Sequence, residues 1–579
     1  MASNFCLPKN LVDKLLGMLK SGEITPEKLS SMTSQQRNTY FSSFLGSANA
    51  TKTNALFESK LLLKNQQLGL VNWAKQITGI KPTAKRDLLT RINKMTDILQ
   101  PENADKFYAD LAKQRLGVGV TVEEAGKIAD LAKDISTKKA LIPESSPNGS
   151  KERLAYGESL VSFKEYVGGL KREAKALSMG EFMKSPWQMV KSLSGGFKSA
   201  KASLDASFSL RQGMVTLITK PKIWADVFVK SFDSWKKELK GIDGIAPIKA
   251  EVFSRANSIN GKYQKIGVDV GIETEEAFPR SWPTKIPVLG RLYKASMSAY
   301  NGALLRMRAD LADRFIADAE SMGVTDLKNS GIGKLVNSMT GRGSLSLPRG
   351  VADTANVMLF SPRYFKAQID VLTAGWSNSK IRGSYSQKIA AQNLVRMIAT
   401  ISGVLATAKW IDDDSVDFDP RSTRFGKIYV KVGDKRVGLD VTGGFRTLII
   451  LASRLTPSFH NGKFGLWWKT SKGQYRNMWD SKYGALEPSD FLVSFLEGKA
   501  SPFARTGLNI YKQETWDREK PTIKGELIEL FSPISVSNAI ETIKETKGEN
   551  LLVGLILAGL NMLGAGTTHE AKKKTKQRF

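Results

Sequence analysis

Leu292–Met322 (LYKASMSAYNGALLRMRADLADRFIADAESM) decides the fold class. Tyr300, Leu304, Met307, Leu311 and Phe315 recur at steps of three and four, which places them along one side of a helix. Arg306, Arg308, Asp310, Asp313 and Arg314 supply a polar face, so the stretch reads as one long amphipathic helix.

Towards the C-terminus, further helices are expected over 326–340, 350–380 and 386–411. Ile389–Ile411 is apolar but holds Asn393, Arg396 and Lys409, which argues for a core helix and against a membrane helix. Lys427–Val441 is the one stretch that reads as β. Ile428, Val430 and Val432 alternate with Lys427, Tyr429 and Lys431; Gly433-Asp434 turns the chain; Val437, Leu439 and Val441 alternate back. Thr447–Leu455 reads as apolar helix, Phe459–Tyr483 as aromatic, glycine-rich and irregular, and the remainder as helix.

Towards the N-terminus, residues 241–283 carry turn residues with Pro279 and Pro283 and read as mixed or irregular. Residues 151–240 read as helical and basic, with 17 Lys or Arg against 9 Asp or Glu, and with breaks at Gly195-Gly196 and Lys220-Pro221. Lys139–Lys151 (KALIPESSPNGSK) is the clearest linker. Before it lies a string of helices. Leu11, Leu15, Leu16 and Leu19 share a face, and Thr25-Pro26 offers an N-cap with proline after it. Thr33 with Gln36, and Thr121 with Glu124, have capping-box spacing. The longest helix of this region is expected over about 53–78, stopping at Gly79.

The chain therefore reads as mainly α, an extended multi-helix assembly with one small β-hairpin at about 427–441. Its parts are an N-terminal helical domain (1–138), a linker (139–151), a basic helical or mixed region (152–283), a central helical domain (284–411), an acidic loop with the hairpin (412–445), and a C-terminal helical region (446–579) with an apolar helix over 550–566 and a basic tail. No fixed-period repeat is visible.

Composition narrows the chemistry. The 579 residues contain 86 Lys or Arg against 56 Asp or Glu, a formal charge of +30. That excess points to a polyanionic partner, either nucleic acid or an anionic membrane surface. The lone Cys6 excludes an intramolecular disulfide and a multi-Cys zinc site, and two histidines, His460 and His569, are too few for a His-rich metal site. Met1–Leu11 has neither the basic nor the apolar region of a secretory signal, so no such signal is expected.

Catalytic signatures are missing. There is no phosphate-cradling G-x-x-x-x-G-K-[ST] and no G-x-S-x-G, and Gly117-Val118-Gly119 lacks the third glycine of a dinucleotide loop. Asp412, Asp413, Asp414, Asp417 and Asp419 could gather around Mg²⁺ or Ca²⁺, but Asp417 stands where a Ca²⁺ loop needs glycine. Helix termination beside Arg421 and Arg424 explains these carboxylates more simply. No catalytic residue, metal or cofactor is assigned.

Two segments remain. Asn550–Thr568 runs 19 residues without a charge, and Leu551, Gly554, Leu557 and Ala558 would serve a membrane or a partner helix. Lys572, Lys573, Lys574, Lys576 and Arg578 follow and would suit anionic headgroups. The simpler reading is a buried helix whose glycines allow tight packing, followed by a solvated tail. In the second segment Trp467, Trp468, Tyr475, Trp479 and Tyr483 interleave with Lys463, Lys469, Lys472 and Arg476. Rings for base stacking with cations for phosphate would suit single-stranded nucleic acid. Docking of an apolar loop on the helices or on a neighbouring subunit ranks ahead of it.

Several stretches carry a resemblance: Asn337–Gly343 (NSMTGRG), Asn356 with Leu359–Arg363 (LFSPR), Asp419–Ile428 (DPRSTRFGKI), Asp440–Gly444 (DVTGG), Phe495–Pro502 (FLEGKASP), Phe531-Ser532-Pro533 and Asn54–Lys60. They resemble modules of the large polyvalent proteins of bacteriophages and the related internal virion proteins ejected with the genome. Gly341, Arg342, Gly343, Arg363, Asp419, Arg421, Gly443 and Gly444 carry the likeness most directly. Physically the glycines, with Pro362 and Pro420, read as turn formers. Arg342, Arg363, Arg421 and Arg424 could hold phosphate, but structural pairing is the favoured role.

What the resemblance implies is a virion-interior protein delivered to the host envelope or cytoplasm; the polyvalent proteins often carry enzymatic domains on much longer chains, and because no such domain is read here, no enzymatic activity is expected. Its implied partners are phage genomic DNA, bound non-specifically, other virion proteins, further copies of itself and the host membrane. One rival expectation is a structural oligomer at the portal or tail axis. The other is a Mg²⁺-dependent nucleic-acid enzyme using Asp412–Asp419.

Overall fold

The central helix runs from Leu289 to Ser321 and is enclosed on both faces. Met297, Leu304, Leu305, Met307, Leu311, Phe315 and Ile316 are all at most 2% exposed, and so is Arg308. The expected polar face is therefore solvated at Arg314 and largely enclosed elsewhere. Arg308 donates to the Asp269 carbonyl, and Arg306, Asp310 and Asp313 enter a buried ion network.

These features belong to a computed structural model that describes residue 21 and residues 32–45, 122–175, 185–202, 206–270, 289–345, 347–373, 385–432, 435–470, 473–479, 486–515, 520–532, 534–546 and 551–569. The chain divides into two compact units, residues 1–133 with 163–176, and residues 134–162 with 177–579. The expected helix over 53–78, the Leu11–Leu19 face, Thr25-Pro26, Thr121, the Asn54–Lys60 stretch, the Gly433-Asp434 turn and the basic tail lie outside the described residues.

Within the first unit, Thr33 and Gln36 form the expected capping box. The Thr33 amide donates to Gln36 Oε1 at 2.8 Å, and the Gln36 amide donates to Thr33 Oγ1 at 3.3 Å, ahead of the Ser34–Leu45 helix.

The second unit is assembled around the central helix. Pro221–Leu239 lies along it, with Ala246–Ser254 and Ile332–Met339 also packed against it. Close crossings need glycine: a Cβ at Gly333 would stand 1.9 Å from the Ile266 carbonyl oxygen, and one at Gly302 would stand 2.6 Å from Ile248 Cδ1. Lys220-Pro221 does separate two helices, Met214–Thr219 and Pro221–Leu239. Gly195-Gly196 does not break the Pro186–Ala202 helix. Gly196 is buried there, and neighbouring Ser194 donates to the Val357 carbonyl, so tertiary packing overrides the low helix propensity. The segment between Ala140 and Lys151 lies in turns. It is tied down where the Asn148 side chain accepts from the Ala256 amide and where Arg153 donates to the Ser146 carbonyl.

The 350–380 region holds two helices, Arg349–Met358 and Pro362–Thr373. The next helix, Tyr385–Ile411, corrects the expectation of a core helix. Only Ser386, Ala390, Asn393, Met397 and Leu405 are buried, while Val395, Ile398, Trp410 (87% exposed) and Ile411 (75%) face outward. Its 27 residues are long and apolar enough to cross a bilayer by length and composition alone.

The expected hairpin is present. β1 (Lys427–Val432) pairs antiparallel with β2 (Lys435–Asp440), from Lys427 opposite Asp440 to Val432 opposite Lys435. The 459–483 stretch, expected to be irregular, instead forms two ribbons. β3 (Ser458–His460) pairs with β4 (Lys463–Gly465), and β5 (Trp467–Lys469) pairs with β6 (Tyr475–Asn477). The first ribbon closes through Asn461 (φ 47°) and Gly462 (φ 74°), two successive left-handed residues that suit a twisted hairpin.

The expected 550–566 helix is shorter, Leu551–Met562. The chain turns at Gly564 (φ 104°) and returns as β7 (Thr567–His569), which pairs with β2. At about 1.5 Å per residue the helix spans roughly 18 Å, short of the roughly 30 Å hydrocarbon core of a bilayer. Leu557 packs with Val432 and Val437 in a small second core.

Candidate functional site

Four motif stretches, far apart in sequence, come together through the backbone of the second unit. The Gly343 amide donates to the Arg363 carbonyl, and the Phe360 amide to the Lys499 carbonyl. The Ser501 amide donates to the Met358 carbonyl, and Tyr364 Oη donates to the Gly443 carbonyl at 2.6 Å. Around this junction lies a cavity of about 330 Å³. One wall is apolar, with Leu359, Phe360, Pro362, Phe365, Phe495 and Leu496. Lys198, Lys201, Arg211, Lys499 and Arg505 also line it, against Asp440 and Glu529. Among the described residues, five cations less two carboxylates leave +3.

The carboxylates do not neutralise the cations evenly. Glu529 lies 3.6 Å from Arg505 and 3.9 Å from Lys201. Arg211 donates to the Gly564 carbonyl, and Lys198 to the Asn356 carbonyl. Lys499 reaches a hydroxyl, Thr447 Oγ1 at 3.3 Å, and lies over the Phe495 ring. Burial, and then the nearby Arg211, push the Lys499 ammonium below its ordinary range. Burial likewise lowers Lys201. Two amides complete the lining. Gln368 and Gln212 are 1% and 9% exposed, and the Oε1 of each is buried without a hydrogen-bond partner in the protein. Their NH₂ groups are engaged, by the Gly443 carbonyl and by Tyr300 Oη.

The aromatic segment is largely absorbed by the fold. Trp467 is 8% exposed and donates its indole N–H to the Ser458 carbonyl, while Trp468 meets Phe491 edge-on. Trp467 is thereby enclosed and Trp468 partly covered. Lys469 is held 2.9 Å from Asp417. Lys472 and Tyr483 lie outside the described residues. Arg476 is exposed on β6, and the outward aromatic cluster is Phe459, Phe464 and Trp479, with Phe464 between the other two.

The acidic run is divided among different cations. Asp413 pairs with Lys409, Asp417 with Lys469, and Asp419 with Arg421; Asp412 and Asp414 lie near Arg436. Burial pushes the Asp417 and Asp419 carboxyls up. Hydrogen bonds from the Asp419 amide and Lys469, and from Arg421 and Tyr475, outweigh it and hold both below the usual range. Among the described residues, no group of three or more carboxylate, His or Cys side chains converges as a metal site.

The other motif residues take structural positions. Arg342, 5% exposed, donates to Asp269, with Arg363 at 4.0 Å from the same carboxylate. Gly341 has φ 77°, and Gly443 and Gly444 have φ 62° and 86° beside the cavity. Gly554, Leu557 and Ala558 face inward, whereas Leu551 is half exposed. Lys572, Lys573, Lys574, Lys576 and Arg578 lie outside the described residues.

Two features had no local signature. Of the cavity cations only Lys198 and Lys201 share an element, the Pro186–Ala202 helix; Arg211, Lys499 and Arg505 come from elsewhere in the chain, so no spacing announces the set. The buried network joins Glu251, Arg255, Tyr263, Arg306, Asp310 and Asp313, with Arg255 2.7 Å from both Glu251 and Asp310. No family model, no curated protein and no solved structure matches this chain.

Proposed function

We propose that the chain is an internal virion protein of a bacteriophage, packed with the genome and delivered with it, that holds DNA by dispersed charge. The observation that carries this reading is the formal charge of +30, set beside the fate of the acidic groups. Many described carboxylates are committed to internal pairs, as at Glu251, Asp310, Asp417 and Asp419. Cations instead stand outward along helices: Lys222, Lys236, Lys237 and Lys240 are all exposed on or next to Pro221–Leu239. Spread charge of this kind binds phosphate without reading bases, and its affinity falls steeply with salt. The motif stretches support the phage assignment by resemblance, and no enzymatic step is included.

Fluorescence anisotropy with two unrelated DNA duplexes tests the reading. Equal affinities that fall together by about 10³-fold or more between 50 and 200 mM salt are expected. No binding, or strong preference for one sequence, would overturn it. Mass spectrometry of virions and of ejected material tests the location.

A second reading, a structural oligomer at the portal or tail axis, is favoured by outward apolar residues on several C-terminal helices. Leu492, Val493 and Leu496 are exposed on Pro488–Gly498, Ile523, Leu527 and Ile528 on Ile523–Phe531, and Leu552, Leu555 and Ile556 on Leu551–Met562. Apolar surface of this kind marks partner or membrane contact. A discrete oligomer in light scattering, with neither DNA binding nor liposome flotation, would select this reading over the first.

A further inference from the structure

We propose that the cationic cavity is a binding site for a mononucleotide-like anion: one phosphate group on a flat apolar body that carries hydrogen-bond donors. The volume of about 330 Å³ is at the lower end of the roughly 300–1,000 Å³ occupied by small-molecule sites. Three separate features each select part of the ligand.

Charge selects the anion. Among the described residues the lining carries five cations against two carboxylates, and Lys499 donates to the Thr447 hydroxyl and to no carboxylate. Asp440 offsets only part of the cost of enclosing this ammonium beside Arg211, and an anion in the cavity would relieve the rest. The apolar wall selects the body. Phe360, Phe365 and Phe495 with Leu359 and Pro362 offer a ring or other flat group a dry surface that bare phosphate cannot use.

The amides select the donors. Gln212 and Gln368 line the cavity, and each holds a buried Oε1 that accepts from nothing in the protein. A buried unpaired acceptor costs roughly 1–3 kcal/mol, which a ligand N–H or O–H would recover once the amide turns to meet it. A simple acyl chain has no such donor, so the pair argues for a base or sugar over a fatty acid. The chain's own C-terminal stretch, with Lys572, Lys573 and Lys574, has the wrong charge to fill the cavity.

This site is independent of the dispersed DNA contact, and the test separates the two. Titration calorimetry on the full chain would use three probes: deoxyadenosine monophosphate, inorganic phosphate and decanoate. The nucleotide is expected to bind one to one, and at least about tenfold more tightly than either other probe. Lys499→Gln and Arg505→Gln should each weaken it about tenfold, about the loss of one charge-assisted hydrogen bond. Gln368→Leu should weaken the nucleotide and leave phosphate unchanged. The Arg505 side chain is 36% exposed, so its variant keeps the test open if Lys499→Gln does not fold. Both charge variants should retain the salt-dependent duplex affinity of the parent chain. Phosphate as tight as the nucleotide, decanoate tighter than it, equal binding by the charge variants, or no binding by any probe would each overturn the proposal.

Discussion

Arg255 Nη1 and Asp310 Oδ1 lie 2.7 Å apart, joining the end of the Ala246–Ser254 helix to the middle of the central helix. The arginine side chain is 8% exposed and also touches Glu251 and Asp313. One guanidinium thus bridges three carboxylates, a task its rigid fork of donors suits and a lysine ammonium does not.

Removing Arg255 leaves those three carboxylates with Arg306 as their neighbouring cation. Breaking one side of a buried pair costs about 3–5 kcal/mol, because the partner charge stays buried. Arg255→Ala is expected to lower the thermal midpoint of the second unit by several degrees, and Arg255→Lys to recover little of it. Calorimetry of the two variants checks this.

Lys427 gives a pH dependence of definite sign. It is 7% exposed on β1 and donates to Thr568 Oγ1 at 2.7 Å. Burial first, and the Arg446 guanidinium second, push its ammonium down to about 8, while Asp440 opposes them. The unfolded chain, near the usual value of 10.5, then binds more protons than the folded one between these two pH values. Stability must rise with pH across that window, by up to roughly 3 kcal/mol from this residue. Lys427→Met is expected to be more stable than the parent at pH 7 and to lose part of the rise between pH 8 and 10. Thermal melts at several pH values measure both effects.

Glycine to alanine has opposite expected signs at two positions. A Cβ at Gly343 would stand 2.5 Å from the Ala367 amide nitrogen and 2.8 Å from the Lys366 carbonyl carbon, backbone atoms that cannot swing aside. Gly343→Ala should cost at least 1–3 kcal/mol, roughly the penalty of overpacking. Gly403 lies within the Tyr385–Ile411 helix with nothing within 4 Å of an added Cβ. Gly403→Ala should stabilise by about 0.5–1 kcal/mol through helix propensity. Urea unfolding of the two variants reads both signs.

These contrasts show which links were legible in the sequence. The central helix was readable because its period is local: Tyr300, Leu304, Met307, Leu311 and Phe315 suffice. The burial of Arg308 was not, because its partner Asp269 comes from a different segment. Asn461-Gly462 is a strong hairpin signal, but Phe459, Phe464 and Trp467 around it suggest a generic aromatic loop. Ile389–Ile411 was misjudged because apolar composition does not say how many neighbours a helix has, and this one is covered along a narrow stripe. The cavity was the least legible feature, since its lining is gathered from several stretches that only the fold brings together.

Lys469 and Arg476 separate structural from DNA-contacting charge within one ribbon. Both are cations on paired strands, and sequence alone treats them alike. Lys469 is held 2.9 Å from Asp417 and lies near the Tyr475 ring, whereas Arg476 is exposed. Lys469→Gln would leave Asp417 half-buried without its cation, which should lower the unfolding midpoint and leave duplex affinity unchanged. Arg476→Gln should do the reverse. If the ribbon touches the duplex, losing one phosphate contact reduces the slope of log affinity against log salt by about one, equally for all sequences, with stability intact. Anisotropy titrations at four salt concentrations, paired with melts of the same preparations, resolve the two effects. A reduced slope in Lys469→Gln with an unchanged midpoint would mean that this lysine is not committed to Asp417 in solution. The acidic run would then be free to leave its present partners.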